Sequence, residues 1–284
     1  MAARTEGIVR TNFGRYLDGP LRKALMSGPA AELLPRLRDL DLRIRDNALN
    51  FYSAGNSVVQ VTPSRLNLHR KFAEGCTLPG TQRSDYASVP LNERGVNAFL
   101  GQLETILANV RKFAKPEARC EEQFVKANTT GTAIMVVDRQ VRLPQDKEGS
   151  RLDLVAVTAG PVPTLVATEL KFGGDPRIQD VPRQVDRYVR MLDPDTTGLK
   201  RDVAKAYQVA LRQRRALGWD GPDPELIQPG MPVRGLLVLA DYPERSKLLG
   251  RAKLLARTLH RVQFFVSLES GQRLPEMDRW TPLL

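Results

Sequence analysis

Three charged residues lie inside two stretches of sequence that otherwise consist mainly of apolar, strand-forming residues. Asp153 belongs to a predicted strand over 151–157, and Glu169 and Lys171 belong to a predicted strand over 164–172. Charged side chains seldom occur in buried strands unless they are paired or bind an ion. Because alternate residues of a strand share a face, a hairpin of these two strands would bring the three side chains into one cluster.

This cluster has the residue types needed to bind a divalent cation. Asp153 and Glu169 offer the hard oxygen ligands that Mg²⁺ or Mn²⁺ prefers. Lys171 would orient or deprotonate a water molecule, or neutralise charge on a phosphate. The alternative is a structural ion pair, in which Asp153 is paired with Arg151 or Lys171. Arg151 is predicted to share the face of Asp153, so it would either form that pair or bind phosphate.

The elements that must position these residues follow Pro116. The hydrophobic patterns first predict a helix over 117–128 and three strands over 133–141, 151–157 and 164–172. Two helices follow, one that ends near residue 192 and one over 199–217. The last predicted elements are a strand over 233–240, a helix over 244–260 and a strand over 262–268. The order of helix, three strands, helix and strand indicates an α/β layer with a mixed sheet.

Asp153, fifteen intervening residues and then Glu169-Leu170-Lys171 resemble the motif of the PD-(D/E)xK phosphodiesterases, which include the restriction endonucleases. The resemblance covers residues 116–270 and implies a restriction-endonuclease-like core with the same order of elements. It implies a Mg²⁺- or Mn²⁺-dependent nuclease whose metal is held by Asp153, Glu169 and the backbone carbonyl of Leu170. Lys171 would be the general base or the residue that positions water. This chain lacks the proline that precedes the aspartate in the motif.

The resemblance also implies a carboxylate on the leading helix, for which Glu121 and Glu122 compete. Glu121 is preferred, because it lies at the edge of the apolar face of the helix, whereas Glu122 falls nearly opposite that face. Downstream, Gln184 and Tyr188 match the Gln-x-x-x-Tyr pattern of exonuclease-like members, where the two residues contact substrate or brace the site. At a spacing of four residues they share one face of a helix.

Residues 1–114 are predicted to form a smaller α+β domain that precedes the nuclease domain of residues 115–284. The pattern indicates a short helix over 20–38, an antiparallel meander over 40–68, a loop over 75–90 and one long helix from Asn92 to residue 110. Aromatic and basic residues of this region would form either a nucleic-acid or partner surface or simply part of a small sheet; they are Phe51, Tyr52, Arg65, His69, Arg70 and Lys71. Substrate selection or dimerisation, and hence a homodimer, is the expected role.

The composition limits the partners. The chain carries 43 Lys and Arg against 32 Asp and Glu, an excess that we expect to be spread along the chain and to attract nucleic acid rather than a membrane. Two cysteines and two histidines exclude a disulfide framework and a histidine-based metal cluster, and they fit a cytoplasmic protein. An endonuclease acting on DNA is favoured. The alternatives are an RNase of the same fold and a catalytically degenerate nucleic-acid-binding module.

Overall fold

The computed structural model describes residues 13–83, 85–143, 151–173, 176–193, 198–241, 247–259, 262–268 and 281–282. The chain divides into two compact units. Unit 1 comprises Met1–Phe113 and Arg212–Trp219, and unit 2 comprises Ala114–Leu211 and Asp220–Leu284. The segment Arg212–Trp219, which the sequence analysis places in the second domain, therefore belongs to the first unit.

Unit 1 is an antiparallel sheet with helices. It contains α1 (Gly19–Ser27), α2 (Leu33–Arg36), α3 (Glu93–Gly101), α4 (Leu103–Phe113), β1 (Asp41–Arg45), β2 (Ala48–Ser53), β3 (Asn56–Val61), β4 (Arg65–His69), β5 (Thr81–Arg83) and β6 (Tyr86–Pro90). The strand order is β1-β2-β3-β4-β6-β5, and every neighbouring pair is antiparallel.

Three predictions for unit 1 are wrong in detail. The region predicted as a loop over 75–90 contains β5 and β6. The helix predicted over 20–38 ends at Ser27, because Gly28 is extended and Pro29 starts a separate 3₁₀ turn. The helix predicted from Asn92 to residue 110 is divided at Gln102, although Asn92 does cap its first half by accepting a hydrogen bond from the Gly95 N–H.

The two faces of the unit 1 sheet differ in chemistry. One face is apolar, as in the buried cross-strand set Leu42, Phe51 and Val59. The opposite face carries one polar residue from each strand in direct register. This polar row consists of Arg43, Asn50, Gln60, Asn67, Ser88 and Thr81. Such alternation is typical of an antiparallel sheet with one face in the core.

The segment Arg212–Trp219 joins unit 1 through specific hydrogen bonds. The Gln213 side chain accepts from the Leu17 N–H (2.9 Å) and donates to the Leu17 carbonyl (3.0 Å). The Trp219 indole N–H donates to the Leu40 carbonyl (2.9 Å), and its ring packs edge-on against Phe51. These contacts link residues far apart in sequence, so local patterns carried no sign of them.

Unit 2 is a mixed α/β layer. It contains α5 (Pro116–Ala127), β7 (Ile134–Val141), β8 (Leu152–Thr158), β9 (Leu165–Phe172), α6 (Val181–Leu192), α7 (Leu199–Ala216, whose last residues belong to unit 1), β10 (Val233–Ala240), α8 (Lys247–Arg257), β11 (Val262–Leu268) and β12 (Thr281–Pro282). The sheet order is β12-β11-β10-β9-β8-β7. Strands β7, β8 and β9 form an antiparallel meander, and β10 is parallel to both β9 and β11. The mixed sheet is as predicted, and two helices, α6 and α7, separate β9 from β10.

Helices lie on both faces of this sheet. Helix α5 packs against one face, where its residues Phe124 and Val125 join a buried cluster with Leu154 of β8 and Leu170 of β9. Strand alternation turns Glu169 and Lys171 to the opposite face, where α6 packs against β9 and β10. Among the residues that the structure describes, no helix is both long and apolar enough to cross a membrane.

Candidate active site

The β8–β9 hairpin brings Asp153 and Glu169 together. Leu154 is registered with Thr168, which places Asp153 beside Glu169. The Asp153 carboxylate accepts a hydrogen bond from the Leu170 N–H (2.9 Å), and the Glu169 carboxylate accepts one from the Asp153 N–H (3.4 Å). Each carboxylate is thus held by the backbone of the neighbouring strand, so the pair is positioned by the sheet itself.

The ammonium group of Lys171 lies where three oxygen atoms converge. Its Nζ is 3.2 Å from Asp153 Oδ2, 3.1 Å from Glu169 Oε2 and 3.2 Å from the Leu170 carbonyl oxygen. These are the three groups that the family resemblance assigns to a metal ion. The described part of the chain holds no group of three or more His, Cys, Asp or Glu residues arranged around a metal position. Two carboxylate oxygens and one carbonyl oxygen therefore converge on one position, and the Lys171 ammonium group occupies it.

Burial and the repulsion between Asp153 and Glu169 shift the pKa values of this cluster. Desolvation raises the pKa of Glu169 well above its usual value, Asp153 raises it further, and Lys171 opposes the rise. Desolvation lowers the pKa of Lys171, but the attraction of Asp153 and Glu169 outweighs it, so the net shift is upward. The two carboxylates thus share one ammonium group, and the pKa shifts of Glu169 and Lys171 are both upward.

Glu121 of α5 is held by two residues of β7, Arg139 and Gln140. Its Oε1 accepts a hydrogen bond from Arg139 Nε (2.8 Å) and lies 2.7 Å from Arg139 Nη2 in an ion pair, and its Oε2 accepts a hydrogen bond from Gln140 Nε2 (2.9 Å). Desolvation raises the pKa of Glu121, Arg139 lowers it, and the charge of Asp153 raises it.

Glu122 lies elsewhere on the same helix. It forms an ion pair with Lys126 (2.8 Å) one turn along α5. The residue is buried, because the covered side of α5 extends past the apolar face to Glu121 and Glu122. The other side is exposed at Arg119, Gln123 and Lys126, so the periodicity of the apolar residues alone did not show the extent of the covered side.

Gln184 and Tyr188 have different surroundings. Gln184 Nε2 donates to Glu169 Oε1 (2.9 Å) and lies 3.4 Å from the Arg151 carbonyl oxygen. Tyr188 is fully buried (0% exposed), with Arg187 5.5 Å from its ring centre. Gln184 therefore orients a carboxylate of the cluster, and the burial of Tyr188 suits a bracing role rather than substrate contact.

Arg151 is separate from the cluster. It precedes β8 instead of beginning it, and its side chain is exposed. Within the described part of the chain, Arg151 makes no ion pair with Asp153; the partner of Asp153 is Lys171. Of the two ion pairs considered from the sequence, the structure contains the one with the lysine.

Sequence reasoning missed a set of polar residues at the end of β7. Arg139 is fully buried (0% exposed), and Asp138 is buried beside it, with the Tyr207 hydroxyl 3.4 Å from Asp138 Oδ2. Gln140 has a positive φ of 52°, which is rare for a residue other than glycine. The signal was present, because three consecutive polar residues interrupt an apolar strand.

Taken together, the donor set suits a hard cation. Asp153 is the more exposed of the paired carboxylates, with 18% of its side chain accessible against 1% for Glu169, so the cluster is approached from its side. Carboxylate and carbonyl oxygens are the ligands that Mg²⁺ and Mn²⁺ prefer. Searches of protein-family models, of curated proteins and of solved structures find no match to this chain.

Proposed function

We propose that this protein is a metal-dependent nuclease with a restriction-endonuclease-like core in unit 2, hydrolysing phosphodiester bonds, with DNA as the favoured substrate. The observation that carries the proposal is the convergence of Asp153 Oδ2, Glu169 Oε2 and the Leu170 carbonyl on one cation, 3.1–3.2 Å from each. Burying several charges this close together costs free energy, and such clusters are common at functional sites. A divalent ion would supply the positive charge that two carboxylates beside one ammonium lack.

The residues fit a Mg²⁺ or Mn²⁺ ion. Asp153, Glu169 and the Leu170 carbonyl would hold it, and Gln184 would keep Glu169 in orientation through its 2.9 Å hydrogen bond. When bound, such an ion activates water and stabilises the charge of a reacting phosphate. The family resemblance also assigns Glu121 to the site, and the charge of Asp153 is among the causes that raise the pKa of Glu121.

The role that we propose for Lys171 follows from the same three distances. Its Nζ and a metal ion cannot occupy one point, so the ammonium would turn from the three oxygens toward the substrate. The flexible four-carbon stem allows this movement. In that position the Lys171 ammonium would hold the attacking water or neutralise the charge of the phosphate.

The distribution of charge supports a polyanionic substrate. Unit 1 contains 19 Lys and Arg against 10 Asp and Glu, whereas unit 2 contains 24 against 22. The expectation that the excess is spread along the chain is therefore wrong, since it is concentrated in unit 1. A net positive unit joined to a nearly neutral one is consistent with recruitment of nucleic acid by the former and hydrolysis by the latter.

The test is cleavage with matched controls. Purified protein would be incubated with linear, circular and single-stranded DNA and with RNA, in Mg²⁺, Mn²⁺ or EDTA, beside Asp153→Asn. The expected result is metal-dependent cleavage of DNA that the variant lacks, and cleavage of circles would identify an endonuclease. Cleavage confined to RNA would instead identify an RNase. Equal activity in EDTA or in the variant would refute the proposed site.

A second candidate is favoured by the ion pairing of Lys171 with both carboxylates, because a structural cluster would have the same contacts. In that case the protein is a catalytically degenerate nucleic-acid-binding module. It would bind nucleic acid in a salt-sensitive manner, without cleavage and without measurable Mn²⁺ binding by calorimetry. Mn²⁺ binding that Asp153→Asn abolishes would exclude this candidate.

A further inference from the structure

The polar face of the unit 1 sheet is buried at one end and accessible at the other. Its polar row is buried at Arg43 of β1 and Asn50 of β2, whereas the residues that β4, β5 and β6 contribute are partly or fully exposed. Alternate residues of a strand share a face, so further side chains of β4 and β6 lie on the same side. We call this accessible part the open face; it consists of Arg65, Asn67, His69, Thr81, Tyr86 and Ser88.

Tyr86 is the aromatic residue of the open face. It is 57% exposed, and it is the only exposed aromatic residue in the part of the chain that the structure describes. Its ring lies 5.6 Å from that of His69, its partner in register on β4. The His69 ring lies 5.7 Å from that of Phe72, and its Nδ1 accepts a hydrogen bond from the Lys71 N–H (3.2 Å). The imidazole is thus fixed and supports Tyr86, while much of the tyrosine ring stays accessible.

The surroundings of this ring are positively charged. Strands β4 and β6 and the 3₁₀ turn Arg70–Ala73 contain three Lys or Arg residues and no Asp or Glu. Within the described residues, the Arg65 guanidinium contacts the hydroxyl groups of Ser88 (3.3 Å) and Thr81 (3.4 Å) and no carboxylate. The Ser88 hydroxyl in turn donates to the side-chain carbonyl of Asn67 (2.7 Å). Arg65 is therefore oriented without being neutralised, which suits the binding of an anion such as phosphate.

We propose that the open face of unit 1 binds a single-stranded nucleic acid, with Tyr86 stacking on an unpaired base and Arg65 contacting the phosphate backbone. An accessible aromatic ring beside basic residues is typical of surfaces that bind single strands, because every base has a face that can stack. This inference rests on the nucleic-acid substrate of the proposed function and adds that unit 1 selects unpaired strands.

The geometry of the open face favours a single strand over a duplex. The bases of a duplex are already stacked on one another, and its major groove admits a helix or a two-stranded ribbon, whereas the open face is three strands wide. Arg65 is registered with Pro90, four residues along β6 from Tyr86, so the two residues are about 13 Å apart along the strands. A strand of a few nucleotides can therefore contact both.

The experiment measures fluorescence anisotropy in EDTA with a labelled DNA strand, an RNA strand of the same sequence and the DNA duplex. Tyr86→Thr removes the ring but keeps a residue that favours strands, whereas Tyr86→Phe keeps the ring. Tyr86→Thr should bind the single strand about 10-fold more weakly, with an unchanged salt dependence because no charge is lost, and should bind the duplex as the wild type does. Tyr86→Phe should keep wild-type affinity. Met26→Ala, which removes a 63% exposed side chain of α1, is the control and should also keep it.

Several outcomes would overturn the inference. Wild-type affinity for single strands in Tyr86→Thr would do so, as would an equal loss of affinity for single strand and duplex. A loss in Tyr86→Phe as large as in Tyr86→Thr would assign the effect to the hydroxyl group and would also overturn stacking. Ring-dependent binding of either the DNA or the RNA strand supports the inference and identifies which strand is bound.

The same measurements separate this inference from the proposed function. Metal-dependent cleavage by a protein whose single-strand binding does not depend on Tyr86 would leave the nuclease proposal standing and remove the open face. Ring-dependent binding by a wild-type protein that cleaves nothing with Mg²⁺ or Mn²⁺ would support the open face and refute the nuclease.

Discussion

The two six-stranded sheets of this protein place their polar residues in opposite ways. In unit 1 the polar row alternates with an apolar face, so charge and amide groups stay on one side of the sheet. In unit 2 the strands are buried on both faces, and yet Asp153, Glu169 and Lys171 lie within them. Four of the six residues in the polar row of unit 1 are partly or fully exposed, and buried Arg43 is paired with Asp41. The charges of unit 2 lie in strands covered on both faces and must be compensated there. The comparison directs attention to unit 2 for chemistry and to unit 1 for binding.

The largest expected effect comes from a comparison of Asp153 in unit 2 with Asp41 in unit 1. Asp153→Asn keeps the shape of the side chain and an acceptor for the Leu170 N–H, but it removes the carboxylate that we propose as a metal ligand. Cleavage should fall by about 1000-fold or more with the fold intact. Asp41→Asn breaks the ion pair with buried Arg43 (2.9 Å) and should cost about 3 kcal/mol of stability with kcat unchanged. Single-turnover cleavage and urea unfolding measure the two effects, and a reversed pattern would contradict the division of roles.

The second effect concerns Lys171, whose ammonium group lies at the centre of the charged cluster in unit 2. Lys171→Met removes the ammonium that contacts all three convergent oxygens. Cleavage should fall by about 100-fold, because water or phosphate loses its positive partner. Mn²⁺ should bind at least as tightly as in the wild type, because the oxygens lose a competing cation. Calorimetry beside cleavage checks this, and loss of Mn²⁺ binding in a folded variant would show that Lys171 supports the metal site instead of competing for it.

The third effect is the pH dependence of stability without metal. The pKa values of Glu121 and Glu169 are raised in the folded protein, so the folded state holds protons that the unfolded state releases. Their contribution to stability is therefore present at low pH and is lost as the pH rises through the raised values. Melting in EDTA across this range should show the loss, and Glu169→Gln should reduce it. If the melting temperature instead rose over this pH range, and equally in wild type and variant, the upward pKa shifts would be contradicted.

The smallest effect tests unit 1. Arg65 is an exposed residue of β4 whose Nη1 lies 3.3 Å from the Ser88 hydroxyl and 3.4 Å from that of Thr81, on the face of the polar row. Arg65→Ala should weaken nucleic-acid binding a few-fold and lower the slope of log affinity against log salt by about 1, with kcat unchanged. Arg65→Lys keeps the charge and should keep the slope. Fluorescence anisotropy over a salt series measures both, and an unchanged slope in the alanine variant would remove this face from the binding surface.

Local patterns predicted much of this protein correctly. The strands that carry Asp153, Glu169 and Lys171 follow from their apolar composition, and the mixed sheet follows from the order of elements. The turn between β1 and β2 was marked by Asp46 and Asn47, whose φ values of 44° and 58° these residue types tolerate. In contrast, β5 and β6 were missed, because their short, polar segments resemble a loop until β6 pairs with β4 and β5 pairs with β6.

The sequence by itself determined which residues can form a buried acidic cluster, because the charges interrupt apolar strands and strand alternation is a local property. Only the tertiary structure decided how they are arranged. It placed Lys171 among three oxygens, paired Glu122 with Lys126, and joined Arg139 and Gln140 to Glu121. It also assigned Arg212–Trp219 to unit 1. Each of these outcomes depends on packing between segments distant in sequence or on an unusual backbone angle, and periodicity along the chain contains neither.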